Sequence, residues 1–165
     1  MLELVLDAAA GAALRPVVVV VGHAAADIEA AVRWTTELRV RNPKPNDGLA
    51  SSLRVGLAAV AAHRPSVAAV VILLGDQPRV RPDVIRALVE RWASTEHPIV
   101  VPRYALGGGP NPLVLDRSAF ELGARLTGDR GLGPLIEGRP EFVEAVAVEG
   151  ANPDVDTPAD LAGLL

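Results

Sequence analysis

The stretch "VVILLGDQPRVRP", residues 70–82, joins an apolar segment to the start of a helix through one short polar turn. Its first five residues are aliphatic, which is typical of a fully buried strand. Gly75 and Asp76 follow at once, and Pro82 suits the first turn of a helix. In sheets covered by helices, ligands lie beyond the carboxyl ends of the strands. This turn is therefore the first place to look for a functional site.

Strands and helices alternate along the rest of the chain. Short apolar segments predict strands at residues 16–22, 38–41, 67–74, 98–101, 113–115 and 142–148. Helical spacing predicts helices at 2–14, 25–35, from about 51 to 63, 82–94, from about 118, and from 158. Strands that alternate with crossover helices predict an α/β fold with a mainly parallel sheet covered on both faces.

Composition narrows the class of protein. The 165 residues are 50% hydrophobic and 3% aromatic, which favours one domain, 1–165, with a small-aliphatic core. The absence of cysteine excludes disulfides, thiolate metal sites and a cysteine nucleophile. A net charge of -4 without a basic run argues against nucleic-acid binding. No segment has the pattern of a signal peptide or a membrane span, so we expect a cytoplasmic protein without a membrane partner.

Two acidic stretches are candidates for chemistry. Asp76 follows a strand directly and can offer a hard oxygen ligand to Mg²⁺, although an aspartate that only caps a turn has the same pattern. Near the end, "DVDTPADL" (154–161) has capping residues for a helix. Capping does not require both Asp154 and Asp156, which alternation places on one side of an extended segment.

Three polar loops are weaker candidates. "NDGLASSLRVGL" (46–57) leads a glycine loop into a helix N-terminus, which suits a base or a phosphate but equally an ordinary capped helix. "GGGPNP" (107–112) and "TGDRGLG" (127–133) are flexible loops that could simply be surface turns. No histidine pair has metal-ligand spacing and no G-x-S-x-G elbow occurs, so hydrolase and zinc functions lack support.

Taken in order, these motifs resemble the MobA-like NTP transferase family, most closely its molybdenum cofactor cytidylyltransferase type. The resemblance covers nearly the whole chain through "VVVVVG", "NPKPNDGLASSLRVGL", "VILLGDQPRVRP", "PRYALGGGPNPLVL", "LTGDRG" and "DVDTPADL". It implies a Rossmann-like three-layer αβα sandwich. It also implies transfer of a nucleoside monophosphate, with CTP favoured as donor, to a phosphorylated acceptor such as molybdopterin cofactor.

The resemblance also implies roles for individual residues. Asp76 and Asp156 would be the catalytic carboxylates and the Mg²⁺ ligands, although the residues themselves leave the choice between Asp154 and Asp156 open. Nucleotide binding would fall to Gly48, Ser51, Ser52, Gly75, Gln77 and Pro78. Acceptor binding would fall to Asn111, Asp129 and Arg130.

One family element has no match in this sequence. The family has a first strand and a glycine-rich phosphate loop of the type L-A-A-G-x-G-x-R-M-G, and the match implies that roughly 30 residues are missing. "DAAAGAALRP" (7–16) contains Ala-Ala-Gly but leads directly into the valine strand, so it matches a later helix. We therefore expect a sheet without its first strand. Either the chain starts inside a longer protein, or it is a short, catalytically impaired paralogue with a binding or regulatory role.

Two further points stay open at the level of sequence. A sister-branch enzyme that charges a sugar phosphate or phospholactate would have similar motifs. The unsatisfied sheet edges expected from a missing strand also allow a homo-oligomer.

Overall fold

A computed structural model describes residues 1–155 together with Thr157, Asp160 and Ala162. These residues form six α-helices: α1 (Leu2–Gly11), α2 (Ala25–Ala31), α3 (Leu49–His63), α4 (Pro82–Trp92), α5 (Phe120–Ala124) and α6 (Gly133–Gly138). They also form six strands: β1 (Val18–Val21), β2 (Leu38–Arg41), β3 (Ala69–Ile72), β4 (Ile99–Tyr104), β5 (Leu113–Asp116) and β6 (Val143–Val148). Short 3-10 helices lie at Pro45–Asp47, Arg117–Ala119 and Pro140–Phe142.

The strands form two sheets. β1 and β2 pair in parallel, and the other four strands lie in the order β3-β5-β4-β6. Within the larger sheet β4 and β6 are parallel, while β5 runs antiparallel to both of its neighbours. β2 and β3 lie in different sheets and are joined along the chain by α3. The parallel-dominated sheet predicted from the alternation is confirmed, with β5 as its antiparallel member.

Helices cover both faces of the larger sheet. On one face α4 packs through Val84 and Leu88 against Val100 and Val114, and α1 joins it through Val5. The other face carries α3, α5 and α6, whose apolar side chains surround Ile99, Val101, Leu113 and Leu115. The three-layer αβα sandwich is therefore confirmed.

The side chains of β3 show why the sheet separates two cores. Val71 packs with α1 and α4, whereas Val70 and Ile72 pack on the side of α3. Successive residues of a strand point to opposite faces, so an unbroken aliphatic run supplies both layers at once.

A cavity of about 1140 Å³ separates the two sheets, and we call it the slot. It runs between β1 and β3, with α1 on one side and α3 on the other. Among the described residues β1 pairs only with β2, and β3 pairs only with β5. This interruption lies where the sheet was expected to lack a strand.

Most predicted elements are present, and their bounds differ from the predicted ones by a few residues; β1, α2 and β3 are shorter, whereas β4 and β5 extend further. β2 matches its predicted range of 38–41, and α4 begins at Pro82 as predicted. α6 was not predicted, because "GPLIEG" is short and has glycine at both ends. The helix predicted from residue 158 begins at a residue outside the described part of the chain. No helix among the described residues is long and apolar enough to cross a membrane.

Candidate functional site

The turn after β3 lies at the carboxyl edge of the larger sheet. Asp76 is exposed in this turn, whereas Gln77 and Pro78 are buried. The backbone N–H of Val155 donates to the carbonyl oxygen of Asp76 at 2.9 Å. The segment that follows β6 therefore lies directly beside this turn, as the sequence prediction of a joint acidic site requires.

Gln77 ties that segment to the turn. Its Nε2 donates to Oδ1 of Asp154 at 2.7 Å, and its Oε1 accepts from Nδ2 of Asn152 at 3.0 Å. Both ends of this amide are thus occupied, and the side chain is only 3% exposed. The structure brings Asp154 next to the Asp76 turn, and Gln77 holds the two segments together. The role of Gln77 in nucleotide binding stays a prediction. Asp156 lies outside the described residues.

Asn152 is the most buried polar side chain in the described part of the chain, at 1% exposed. Besides Gln77, its Nδ2 reaches the carbonyl oxygen of Asn111 at 3.2 Å, to which the Tyr104 hydroxyl also donates at 3.2 Å. Burial raises the pKa of Tyr104 to about 12, so the phenol stays a protonated donor at neutral pH. This network fixes the predicted acceptor loop beside the Asp76 turn.

The role of Asn152 was missed at the level of sequence. It stands in "GANPDVD" (150–156), where an asparagine next to proline is ordinary turn composition. Only the fold reveals that it contacts Gln77, which is 75 residues away in the chain. We see no sequence signal that would have identified it.

A second cluster forms around the start of α3. Gly48 has φ +82°, and a Cβ there would lie 2.5 Å from Oδ1 of Asp129. The N–H of Ala50 donates to the carbonyl oxygen of Gly128 at 3.0 Å. Gly48, predicted on the nucleotide side, and Asp129, predicted on the acceptor side, are therefore direct neighbours.

Ser51 and Ser52 belong to this cluster through Asn42. The Nδ2 of Asn42 donates to Oγ of Ser51 at 2.7 Å and to Oγ of Ser52 at 3.0 Å. The Ser51 hydroxyl is buried and lies 2.8 Å from the carbonyl oxygen of Gly48. Ser51 thus shapes the loop before α3. On the other side of the cluster, the guanidinium of Arg130 pairs with Glu137.

The two clusters border the same cavity. The lining of the slot includes Ser52 and Arg130 from the cluster at α3, and Gly75 and Asn111 from the cluster at the Asp76 turn. The structure thus places Ser52, Gly75, Asn111 and Arg130, four of the predicted site residues, around one cavity.

The donor chemistry at the Asp76 turn fits a hard divalent cation that is shared with phosphate ligands. Magnesium and similar ions are commonly held by one or two carboxylates plus substrate phosphates. Asp76 and Asp154 supply two carboxylates from adjacent segments. No group of three or more His, Cys, Asp or Glu side chains within the described residues is placed to hold a metal ion. A cage made of protein ligands alone is thus not seen in this part of the chain.

A family model, the MobA-like NTP transferase domain, matches residues 1–145. The chain belongs to this family. Its members are nucleotidyltransferases, so the resemblance seen in the motifs is confirmed. No curated protein matches the chain.

Solved structures agree with this assignment. Rv0371c from Mycobacterium tuberculosis superposes with a TM-score of 0.85 at 35% identity, over 99% of this chain and 82% of the other. The manganese complex of that protein gives 0.82 at 34% identity, over 99% and 84%. CMP:2-keto-3-deoxy-manno-octonic acid synthetase complexed with CTP gives 0.74 at 15% identity, over 99% and 85%. At 15% identity this last structure supports the fold alone.

Proposed function

We propose that the chain transfers a nucleoside monophosphate, CMP from CTP, to a phosphorylated acceptor such as molybdopterin cofactor. The observation that carries this proposal is the junction between the Asp76 turn and the segment of Asp154, formed in a member of a nucleotidyltransferase family. It joins two acidic segments at the edge of the sheet where ligands of α/β proteins bind.

The reaction places few demands on proton transfer. An acceptor phosphate oxygen attacks the α-phosphorus of the nucleotide and forms a new P–O bond. The bond from the α-phosphorus to the oxygen that bridges to the β-phosphate breaks, and its electron pair leaves with pyrophosphate. The attacking oxygen is already anionic, so the protein needs to position the reactants and stabilise charge rather than supply a general base.

We assign the metal ligands to Asp76 and to one of the two nearby acids, Asp154 or Asp156. A bound Mg²⁺ ion would supply positive charge close to the phosphates. The manganese complex of Rv0371c supports a divalent cation in this family. The hydrogen bond from Gln77 holds one oxygen of Asp154 and thereby fixes how the carboxylate is turned.

Substrates would occupy the opening between the two clusters. Gly48, Ser51 and Ser52 would contact the base or the ribose, where the α3 N-terminus and its loop offer polar groups. Gly75, Gln77 and Pro78 would also lie on the nucleotide side. Asn111, Asp129 and Arg130 would face the acceptor. Because Gly48 touches Asp129, we expect nucleotide and acceptor to be bound side by side.

A second candidate is a nucleotide-binding or regulatory protein with the same fold. It is favoured by the interruption between β1 and β3. Ser52 and Gly75, both predicted to bind nucleotide, line that gap. In this case nucleotide binds but no transfer takes place. A sister-branch transferase with a sugar phosphate or phospholactate acceptor is separated from the main proposal only by the acceptor it uses.

The experiment combines binding and transfer. CTP, GTP and ATP are titrated calorimetrically with and without magnesium, and transfer of labelled α-phosphate is followed with a panel of phosphorylated acceptors. We expect CTP to bind most tightly. Asp76→Asn should lower transfer on the order of a hundredfold, while Asp83→Asn, an exposed aspartate in the first turn of α4, should leave it unchanged.

Each outcome has a distinct meaning. If the wild-type chain binds no nucleotide at millimolar concentrations, the transferase proposal is wrong for this polypeptide. Binding without transfer supports the second candidate. Asp154→Asn and Asp156→Asn, compared side by side, show which acid joins Asp76, because only the metal ligand changes the magnesium dependence.

A further inference from the structure

Asn42 is a buried polar side chain directly after β2, and it is 6% exposed. Its Oδ1 accepts from the backbone N–H of Lys44 at 2.9 Å, which fixes the end of the amide that carries the oxygen. Its Nδ2 donates to two hydroxyl oxygens, Oγ of Ser51 at 2.7 Å and Oγ of Ser52 at 3.0 Å. Because an amide nitrogen only donates, both serine oxygens are acceptors in these bonds.

The two serines differ in the partners that remain for their own hydrogens. The buried Ser51 hydroxyl has two carbonyl oxygens within reach, that of Gly48 at 2.8 Å and that of Lys44 at 2.9 Å. Ser52 is only partly buried and lines the slot. No acceptor for its hydroxyl hydrogen is found in the described part of the chain. Ser51 is therefore satisfied by its own loop, whereas Ser52 keeps a hydrogen that it can donate to a ligand.

We propose that Asn42 is a positioning residue, which turns Ser52 into a hydrogen-bond donor to an oxygen of the bound nucleotide. This inference rests on the proposed transferase function, in which Ser52 contacts the base or the ribose. The bond from Asn42 occupies one lone pair of the Ser52 oxygen and directs the hydroxyl hydrogen away from residue 42. A ligand that buries Ser52 must then offer an acceptor, because a buried donor without a partner lowers affinity.

A role of Asn42 in stability alone does not require its second bond. Asn42 already holds the loop before α3 through the N–H of Lys44 and the hydroxyl of Ser51. Ser52 belongs to α3 and has its backbone fixed by that helix. The bond to Ser52 therefore adds little to the loop, and its main effect is on the direction of the hydroxyl.

The test is a double-mutant cycle on nucleotide affinity. Asn42→Asp keeps the shape of the side chain but replaces its donor by an acceptor, so the Ser52 hydrogen turns back to residue 42. We expect the affinity for CTP, measured calorimetrically with magnesium, to fall about tenfold. In the Ser52→Ala background the same change should have a clearly smaller effect, because the hydroxyl through which Asn42 acts is gone.

Two features of this design separate the hydroxyl from the added charge. A charge at residue 42 that repels phosphate acts equally with and without the Ser52 hydroxyl, so it produces additive effects in the cycle. Asn46→Asp adds the same charge at an exposed position of the same loop and should leave the affinity for CTP unchanged.

Three nucleotides show which oxygen Ser52 contacts. Cytosine and guanine each have a ring carbonyl oxygen, whereas adenine has none. If the contact is to a base carbonyl, Asn42→Asp weakens the binding of CTP or GTP but not of ATP. If the contact is to the ribose or to a phosphate, the affinities for all three nucleotides fall by the same factor.

A second measurement applies if Asn42→Asp fails to fold by circular dichroism. In the NMR spectrum of the folded chain with ¹⁵N-labelled asparagine, Ser51→Ala and Ser52→Ala should each shift one of the two Asn42 side-chain N–H signals. Addition of CTP to the wild-type chain should then shift the signal that responds to Ser52→Ala.

The inference is overturned by an unchanged affinity of Asn42→Asp for CTP, by additive effects in the cycle, or by an Asn42 signal that CTP leaves in place. In each of these cases the wild-type chain still binds nucleotide, so the proposed transferase function stands. A wild-type chain that binds no nucleotide refutes both.

Discussion

β1 and β4 contain similar aliphatic runs but are buried to different extents. In β4 the residues Ile99 and Val100 are 0% exposed, whereas in β1 only the last valine, Val21, is buried. β3, on the other side of the slot, is also only half-buried along its whole length. Burial of a strand therefore follows from its neighbours on both edges, and residue type alone does not determine it.

The largest expected difference between these regions concerns core truncation. Leu115→Ala, in the fully packed sheet, should lower the free energy of unfolding by about 3–5 kcal/mol because it leaves a cavity. Leu6→Ala, beside the slot, should cost about 1–2 kcal/mol because its side chain is only partly buried. Urea denaturation measures both. Equal losses would show that the region of the slot is packed as tightly as the larger sheet.

Removal of a buried polar group should have the next largest effect. Asn152→Leu deprives Gln77 and the Asn111 carbonyl of a donor and should cost about 1–3 kcal/mol. Asn46→Leu, at an exposed position in the loop before α3, should change stability little. The same urea titrations test this pair. If Asn152→Leu leaves the free energy of unfolding unchanged, the network does not stabilise the edge of the larger sheet.

Alanine substitution of two helical glycines should give a smaller difference in stability between the two regions. A Cβ at Gly56 meets only Val20, at 3.3 Å, and both residues line the slot, which offers this valine space to shift. Gly56→Ala should therefore stabilise the chain by about 0.5–1 kcal/mol. A Cβ at Gly123 meets Leu57, Leu115 and Leu132 within 3.6 Å, so Gly123→Ala should lose this gain. Thermal melting of the two variants checks the difference, and a larger gain at Gly123 would contradict it.

The smallest expected effect is a difference in the response to acid and salt. Burial raises the pKa of Asp116, but hydrogen bonds from Ser118 and Trp92 outweigh it and hold the pKa below its usual value. The stabilisation is thus present above the ordinary aspartate pKa of about 3.9 and is lost as pH falls through the lower folded value. Glu29 of α2 accepts a hydrogen bond from the guanidinium of Arg41 in the two-stranded sheet, and this bond lowers the pKa of Glu29.

These two groups should respond differently to salt. Glu29 and Arg41 form an exposed ion pair, so its effect on acid unfolding should fade in high salt. The partners of Asp116 are uncharged, so its effect should persist. Unfolding midpoints of Asp116→Asn and Glu29→Gln across pH, in low and high salt, measure this. A salt-sensitive Asp116 would show that its carboxylate also depends on charges beyond these two partners.

The sequence was sufficient to predict most of the elements and their layers, because periodicity and proline act locally. β2 and the start of α4 are examples, and the separation of Val71 from Val70 and Ile72 follows from strand alternation. The antiparallel direction of β5 could not be predicted in this way. A strand of four residues carries no mark of the direction in which its neighbours run.

The candidate site was predicted in part. The turn at Asp76 and the acidic segment near Asp154 were both expected, and the structure joins them. Their connection through Gln77 and Asn152 depends on contacts between residues more than 70 positions apart. The contact between Gly48 and Asp129 likewise depends on how two loops pack, and local patterns contain no information about such packing.

The hydrogen bond from Gln77 to Asp154 spans 77 positions of the chain and determines when the site can form. Contacts this distant in sequence carry a large entropic cost of chain closure and tend to form late in folding. Asn152 and Asp154 follow β6, which pairs with β4, so we expect them to reach the turn once that pairing has formed. During synthesis from the N-terminus, Asp76 thus emerges well before its partners. We therefore expect the site to be completed late in folding.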